Sequence, residues 1–249
     1  MIAMAKNVPV RILVTAGGSK VRLDDVRWLG NVSTGRFGGA VALAALRQGC
    51  EVVELLATDA NTPFQQVVDL AARRTAPPAL SAAEAESLRP RFRSFRFTTY
   101  DQYSRRLRRL LAACPFDVVI LAAAISDYGP VAAAGKISSE QDELTIRMRR
   151  LPKVIAKVRE QAPGAYLVGF KLTSGAAPEE TIALARKAIA SHGADLVVAN
   201  DLATLRQGRH TIHLVREGSP IETYVAEAGT DPAAKLVERT LAWRKERNR

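Results

Sequence analysis

The chain is poor in the residues that staple, ligate or anchor a protein. It has 2 cysteines in 249 residues, too few for a disulfide framework and without metal-ligand spacing. Cys50 and Cys114 therefore read as buried thiols of a reduced, cytoplasmic protein. Only 3 histidines occur. His210 and His213 read as a structural pair sharing one strand face; with no third ligand beside them, and none beside His192, no metal site is expected. No apolar run approaches the ~20 residues of a membrane span, and Met1 to Val8 lacks the apolar core of a secretory leader, so no membrane is expected either. Aromatic residues make up 6% of the chain and form no RNA-recognition motif. There is no G-x-G-x-x-G fingerprint, no Walker A sequence and no nucleophile elbow. The missing dinucleotide fingerprint argues against a Rossmann-like oxidoreductase, an alternative that the fold pattern alone permits.

What is present is an ordinary soluble composition, 47% hydrophobic and 24% charged, with a net charge of +11. Such a charge suits anionic partners. The arginines crowd into Arg89 to Arg96, Arg105 to Arg109 and the tail Arg244 to Arg249, which reads as solvated faces rather than a specific nucleic-acid surface.

Strand-like and helix-like stretches alternate, and no domain boundary interrupts residues 1–249. The pattern predicts a single α/β domain: a Rossmann-like, mainly parallel sheet with helices on both faces, an antiparallel edge hairpin and a flap. Strands are expected at 10–16, 51–57, 95–98, 117–124, 166–170 and 195–199. The strict alternation of 143–149 predicts a further strand with one wet face. Residues 210–215 and 221–225 read as the edge hairpin. Helices are expected at 35–48, 100–113, 152–161, 178–191 and 232–244. Pro152 opens the third at its first turn, and Thr98 or Thr99 and Asp231 cap the second and the last. Tyr103, Leu107, Leu110 and Leu111 form the inner stripe of the 100–113 helix. Residues 59–90 read as a surface excursion with one or two short helices, and 131–142 as a flexible arm carrying Lys136.

Chemistry is expected where small residues end strands or open helices. Gly30 to Gly39, after the first strand and before a helix, combines Asn31 with Ser33, Thr34, Gly35 and Arg36. Unpaired N–H groups at a helix start, its positive dipole end and a guanidinium all favour an anion. An ordinary N-cap is the plain alternative. Gly17-Gly18 reads as a second anion-binding turn or simply a tight turn. The buried run 117–124 delivers Asp127 at its carboxyl end, where open α/β sheets bind ligands; on position alone Asp127 also reads as a loop-capping carboxylate. Phe170 ends another strand, as a base-stacking ring or as core.

Taken together, Thr15 to Val21, Val26 to Arg36, Ala122 to Tyr128, Lys136-Ile137, Gly169 to Leu172 and Val197 to Asn200 resemble the phosphopantothenoylcysteine synthetase family, in family order from residue 10 to about 225. The resemblance is to its stand-alone form and implies a nucleotide-dependent ligase of coenzyme A biosynthesis. Such an enzyme joins 4′-phosphopantothenate to cysteine through an acyl-nucleotidylate and works as a homodimer. It implies catalytic roles for Asn31 and Lys136. Gly17, Gly18, Ser19, Ala123, Ala124, Asp127 and Phe170 would bind the nucleotide with Mg²⁺, and Ser33, Thr34, Gly35, Arg36 and Asn200 would bind the acid. Val21 stands where the fused bacterial type has Glu. Lys136 to Ser139, Leu151-Pro152-Lys153 and Phe170-Lys171-Leu172 are closer to the eukaryotic type. That leans to ATP over CTP and leaves both open, along with a diverged ligase acting on another acid and amine.

Overall fold

A computed structural model describes residues 8–65, 80–131, 135–227 and 230–248. In chain order the strands are β1 (Arg11–Ala16), β2 (Lys20–Arg22), β3 (Trp28–Gly30), β4 (Glu51–Ala57), β5 (Phe92–Phe97), β6 (Val118–Leu121), β7 (Tyr128–Pro130), β8 (Met148–Arg150), β9 (Tyr166–Thr173), β10 (Leu196–Asp201), β11 (Thr211–Val215) and β12 (Glu222–Val225). The helices are α1 (Arg36–Arg47), α2 (Ala82–Leu88), α3 (Tyr100–Ala113), α4 (Val154–Gln161), α5 (Pro178–His192), α6 (Leu202–Arg206) and α7 (Pro232–Arg247).

Eight strands form the main sheet in the order β12-β11-β10-β9-β6-β1-β4-β5. The six from β10 to β5 run parallel, and β11 and β12 add an antiparallel edge. Chain order reverses between β1 and β6, so a crevice opens beyond their carboxyl ends. Helices cover both faces because the central strands are apolar throughout: Ile12 to Val14 and Val118 to Ile120 are fully buried. One face packs α1 and α7 against Ile12, Val14, Val198 and Leu214. The other packs Tyr103, Leu107 and Leu111 of α3, with Ala185 and Ile189 of α5, against Leu13, Leu55 and Leu167. Leu110 is half-buried at the margin of that stripe. Cys50 is buried, Cys114 half-buried, and both are free.

Several expectations change. The arm alternates over 143–149, yet only Met148–Arg150 pairs, because its partner β7 is three residues long and residues 143–145 bury no face. Helix α4 starts at Val154, with Lys153 at its N-cap; Pro152 lies outside and its carbonyl accepts from the Tyr100 hydroxyl at 2.6 Å. Between β1 and α1, where the sequence predicts no strand, β2 and β3 pair as a small antiparallel hairpin. His210 and His213 are three apart, hence on opposite faces. His210 packs on the Phe37 ring at 4.4 Å, while His213 Nδ1 bonds Thr223 Oγ1 at 2.8 Å. The expected leader test at 1–7, the middle of the 59–90 excursion (66–79), Ala132 to Ala134 of the arm and Arg249 of the tail fall outside the described residues.

Candidate active site

A cleft of about 1180 Å³ occupies the crevice at the β1–β6 reversal. Ten expected site residues line it: Asn31, Ser33, Thr34, Gly35, Arg36, Ala123, Ala124, Asp127, Phe170 and Asn200. Gly17, Gly18, Ser19 and Lys136 are not among the lining residues.

Asn31 sits at the centre. Its Nδ2 donates to the Ala124 carbonyl at 2.8 Å, tying the stretch before α1 to the end of β6. Its backbone N–H donates to Ser19 O at 3.2 Å. Ser19 is fully buried, with its N–H on Ala124 O at 3.0 Å and its hydroxyl 3.0 Å from the Ser126 hydroxyl. The polar groups of Ser19 are thus already engaged within the fold. The two glycines before it answer to packing. A Cβ on Gly17 would stand 2.5 Å from Ala57 Cβ, and one on Gly18 would stand 2.3 Å from the Asn31 carbonyl oxygen.

The helix starts show which surfaces are left for a ligand. Helices α2, α3, α6 and α7 carry side-chain caps, Ser81, Thr99, Asp201 and Asp231. Helix α5 has no such cap but has Glu179 and Glu180 in its first turn. Among the described α-helices only α1 and α4 have neither an N-cap side-chain bond nor an acid in the first turn, and the first residues of both line the cleft. A cap is worth about 1 kcal/mol, so each start forgoes that stability where the positive end of its dipole borders the cleft; at α1 the Arg36 N–H meets only the Thr34 hydroxyl, at 3.5 Å. At α1, Gly35 takes φ +73° at the N-cap, a conformation unfavourable for other residues. Arg36 beside it is exposed, and no acidic partner is seen among the described residues.

The cleft has two differing ends. Towards α1 and α7, Phe170 stands edge-on to Phe37 at 5.9 Å, and Asn200, His210 and Asp231 supply polar groups. Burial lowers the His210 pKa, against the pull of Asp231, so its ring favours the neutral form. Towards α4 and α5 the walls are apolar and small, with Ile155, Gly169, Leu184 and Ala188. There Lys153 Nζ holds Asp127 Oδ1 at 2.5 Å. Burial, and then the Lys153 charge, lower the pKa of nearby His192. Lys153, His192 and His210 were not picked out from sequence as site residues. A lone Lys or His carries no spacing signal, and only the fold brings them to the cleft.

Lys136 is exposed, but its backbone is not loose. Gly135 and Asp25 exchange bonds: Asp25 N–H donates to Gly135 O at 3.1 Å, and Gly135 N–H to Asp25 Oδ2 at 3.1 Å. Ile137 N–H donates to Asp24 Oδ2 at 3.1 Å, and Arg27 Nη2 donates to Ile137 O at 2.5 Å. Asp24 itself is fully buried and also accepts from the backbone N–H groups of Val26 and Arg27. Burial opposes its charge, and the hydrogen bonds from Val26, Ile137 and Arg27 overcome that and hold the carboxyl well below the usual carboxylate range. The arm expected to be flexible is therefore anchored at 135–137.

Comparison with known proteins gives consistent results. The family model described as DNA/pantothenate metabolism flavoprotein C-terminal domain matches residues 8–90 and 95–242. The human phosphopantothenate–cysteine ligase is 32% identical over 264 residues, 92% of this chain and 83% of that protein. The coenzyme A biosynthesis bifunctional protein CoaBC of Thermococcus kodakarensis is 35% identical over 208 residues, 82% of this chain; the match spans 44% of that longer relative. The crystal structure of the DNA/pantothenate metabolism flavoprotein from Streptococcus pneumoniae superposes with a TM-score of 0.76 at 25% identity, covering 94% of this chain and 99% of that one.

Proposed function

The chain belongs to the family of DNA/pantothenate metabolism flavoprotein C-terminal domains, and from that premise we propose that it is a nucleotide-dependent phosphopantothenate–cysteine ligase of coenzyme A biosynthesis. The observation that carries the reading is the pair of helix starts, α1 and α4, with no N-cap side-chain bond and no acid in the first turn, both lining one cleft. Two anionic groups must meet in this reaction, a phosphorylated acid and a nucleoside triphosphate, and two helix N-termini with no acid in the first turn suit them.

In this reading Ser33, Thr34, Gly35 and Arg36 hold the phosphate of 4′-phosphopantothenate, and Asn200 bonds its amide-bearing portion. The nucleotide lies over Ala123 and Ala124, where only methyl groups intervene, and spans the cleft between Asp127 at the α4 end and Phe170 at the α1 end. Gly17, Gly18 and Ser19 act one layer back, shaping the wall that carries Asn31. The acid's carboxylate attacks the α-phosphate, forming an acyl-nucleotidylate and releasing pyrophosphate. The amine of cysteine then displaces the nucleotide monophosphate and forms the amide. Asn31 orients the acyl group from its place on Ala124. Lys136 offsets the negative charge that builds during transfer.

Among the described residues no three His, Cys, Asp or Glu side chains converge as a metal site, so Mg²⁺ enters here as part of the nucleotide substrate. ATP is favoured over CTP by the eukaryotic-type stretches around Lys136 and Lys153. Val26, Trp28, Tyr128, Val131 and Met148 are exposed on or beside the β2–β3 and β7–β8 hairpins, an apolar surface that suits a second copy. A homodimer would let Lys136 serve the partner's cleft. Among the described residues no helix is long and apolar enough to cross a membrane, and a cytoplasmic site of action fits the free cysteines. The test is pyrophosphate release with Mg²⁺ and 4′-phosphopantothenate, with and without cysteine, using ATP and CTP separately. Sustained turnover that needs cysteine is expected, and silence with both nucleotides in folded protein overturns the substrate assignment.

A further inference from the structure

We propose that Asp24 and Arg27 form a clasp that positions Lys136 for catalysis; the proposal rests on the ligase reading above. Lys136 is the one residue between two anchored neighbours. Gly135 is bonded in both directions to Asp25, and Ile137 in both directions to the Asp24–Arg27 pair. The carboxylate at the centre is fully buried, and it is spread over four donors: Val26 N–H, Arg27 N–H, Arg27 Nε and Ile137 N–H. Arg27 completes the ring by holding Asp24 with its guanidinium, Nη2 to Oδ2 at 2.7 Å, while reaching the Ile137 carbonyl. A turn could be closed by the first two of these bonds alone, as an Asx turn. The bonds to Ile137 add nothing to that turn; they fix the backbone beside an exposed lysine more than a hundred residues away.

The chemistry explains why that matters. A lysine side chain has four rotatable carbons and carries its charge as a point. It stabilises developing charge only if its Cα is held still, because the protein must not spend reorganisation at the moment of reaction. A clasp on both flanking peptides removes backbone freedom and leaves the side chain free to reach. Misplacement by about 1 Å is enough to cost on the order of 100-fold in rate.

The test is a double-mutant cycle on the full chain, with turnover read as pyrophosphate release. Asp24→Asn keeps a carbonyl for one part of the turn but cannot accept from both Ile137 and the turn amides while holding a guanidinium. Arg27→Lys removes the bond to the Ile137 carbonyl at a half-exposed position, and serves if Asp24→Asn does not fold. Each is expected to lower kcat about 10- to 100-fold with little change in KM. In a Lys136→Gln background the same changes are expected to lower kcat less than about twofold, while their effect on melting temperature persists. Amide exchange at Ile137 is expected to accelerate in both single variants. Full multiplicative losses in the Lys136→Gln background, or unchanged exchange at Ile137, overturn the clasp. An inactive wild type overturns the ligase reading instead, and the exchange measurement then decides by itself whether the clasp exists.

Discussion

The turn after β1 and the turn before α1 are built from the same few residue types, and they do different things. Gly17, Gly18 and Ser19 face inward. Their close approaches are to Ala57, the Asn31 backbone, Ala124 and Ser126. Ser33, Thr34, Gly35 and Arg36 face the cleft and lead into a helix with no cap. Both turns contain a glycine at positive φ, Gly17 at +85° and Gly35 at +73°. Positive φ therefore marks a backbone need in each and does not tell which of them lines the cleft. What separates them is their place in the fold: Ser19 is buried with its N–H on the Ala124 carbonyl, whereas Ser33 to Arg36 line the cleft.

Substitutions that treat the turns differently can break this comparison. The largest effect is expected from Asn31→Ala, at the joint between them. It removes one exposed hydrogen bond to Ala124, a stability loss of about 1 kcal/mol, while product formation falls by roughly 100- to 1000-fold. Mass spectrometry of the amide product against a thermal melt separates the two, and near-normal product would remove Asn31 from the chemistry.

Gly18→Ala comes next and is expected to act through the fold. Its Cβ meets the Asn31 carbonyl oxygen at 2.3 Å, so strand end and turn must part. The expected cost is about 2 kcal/mol, or a Tm lower by roughly 4–8 °C, with activity falling alongside. An unchanged melt with lost nucleotide binding would instead give the first turn a direct ligand role.

Glu54 tests the wall behind the first turn, three residues before the Ala57 on which Gly17 packs. It is fully buried and its carboxylate oxygens have no hydrogen-bond partner among the described residues. Burial pushes its pKa up to about 8 from 4.5, against the pull of Arg96. Between these values the unfolded chain has lost the proton and the folded chain still holds it. Stability should therefore fall as pH rises through that window, by about 1.4 kcal/mol per unit at most, and level off above 8. Glu54→Gln should flatten the denaturant-midpoint profile between pH 5 and 8. A wild-type midpoint that rises across this range contradicts the assignment.

Arg36→Ala, in the second turn, should leave the melt within about 1 °C, since the side chain is exposed. KM for 4′-phosphopantothenate should rise roughly 10- to 100-fold, the worth of one charge-assisted contact. The smallest effect is expected from Lys136→Gln on stability, essentially none, with turnover lowered; a sharp fall in Tm would make Lys136 structural.

Most of the main sheet was legible from sequence because its strands are apolar runs bounded by glycine, proline or a cap. β1, β4, β6, β9 and β10 all fit that description, and α3 announced itself by the spacing of Tyr103, Leu107 and Leu111. Legibility failed where the pattern was local but the partner was not. Residues 143–149 alternate as a strand should, yet pairing stops with the short β7. Lys20–Arg22 and Trp28–Gly30 have little pattern, yet they pair. In the candidate site Arg36 was visible because it opens a helix and Asp127 because it follows a buried run; Asn31 entered through the family resemblance, and Phe170, read as a strand end, lies inside β9. Lys153, His192 and His210 were not visible, since each stands alone in sequence.

The sequence by itself determined the layer architecture, because burial of apolar runs and helix periodicity are short-range signals that each segment carries within itself. It also determined the positions where backbone must come close, through glycine and alanine. Only the tertiary structure decided which of two similar turns lines the cleft, that Asp127 is held by Lys153, and that Asp24 and Arg27 anchor the peptides flanking Lys136. Those are matters of which groups remain unsatisfied after the chain has folded, and a donor's partner a hundred residues away is fixed by topology and packing rather than by its neighbours in sequence.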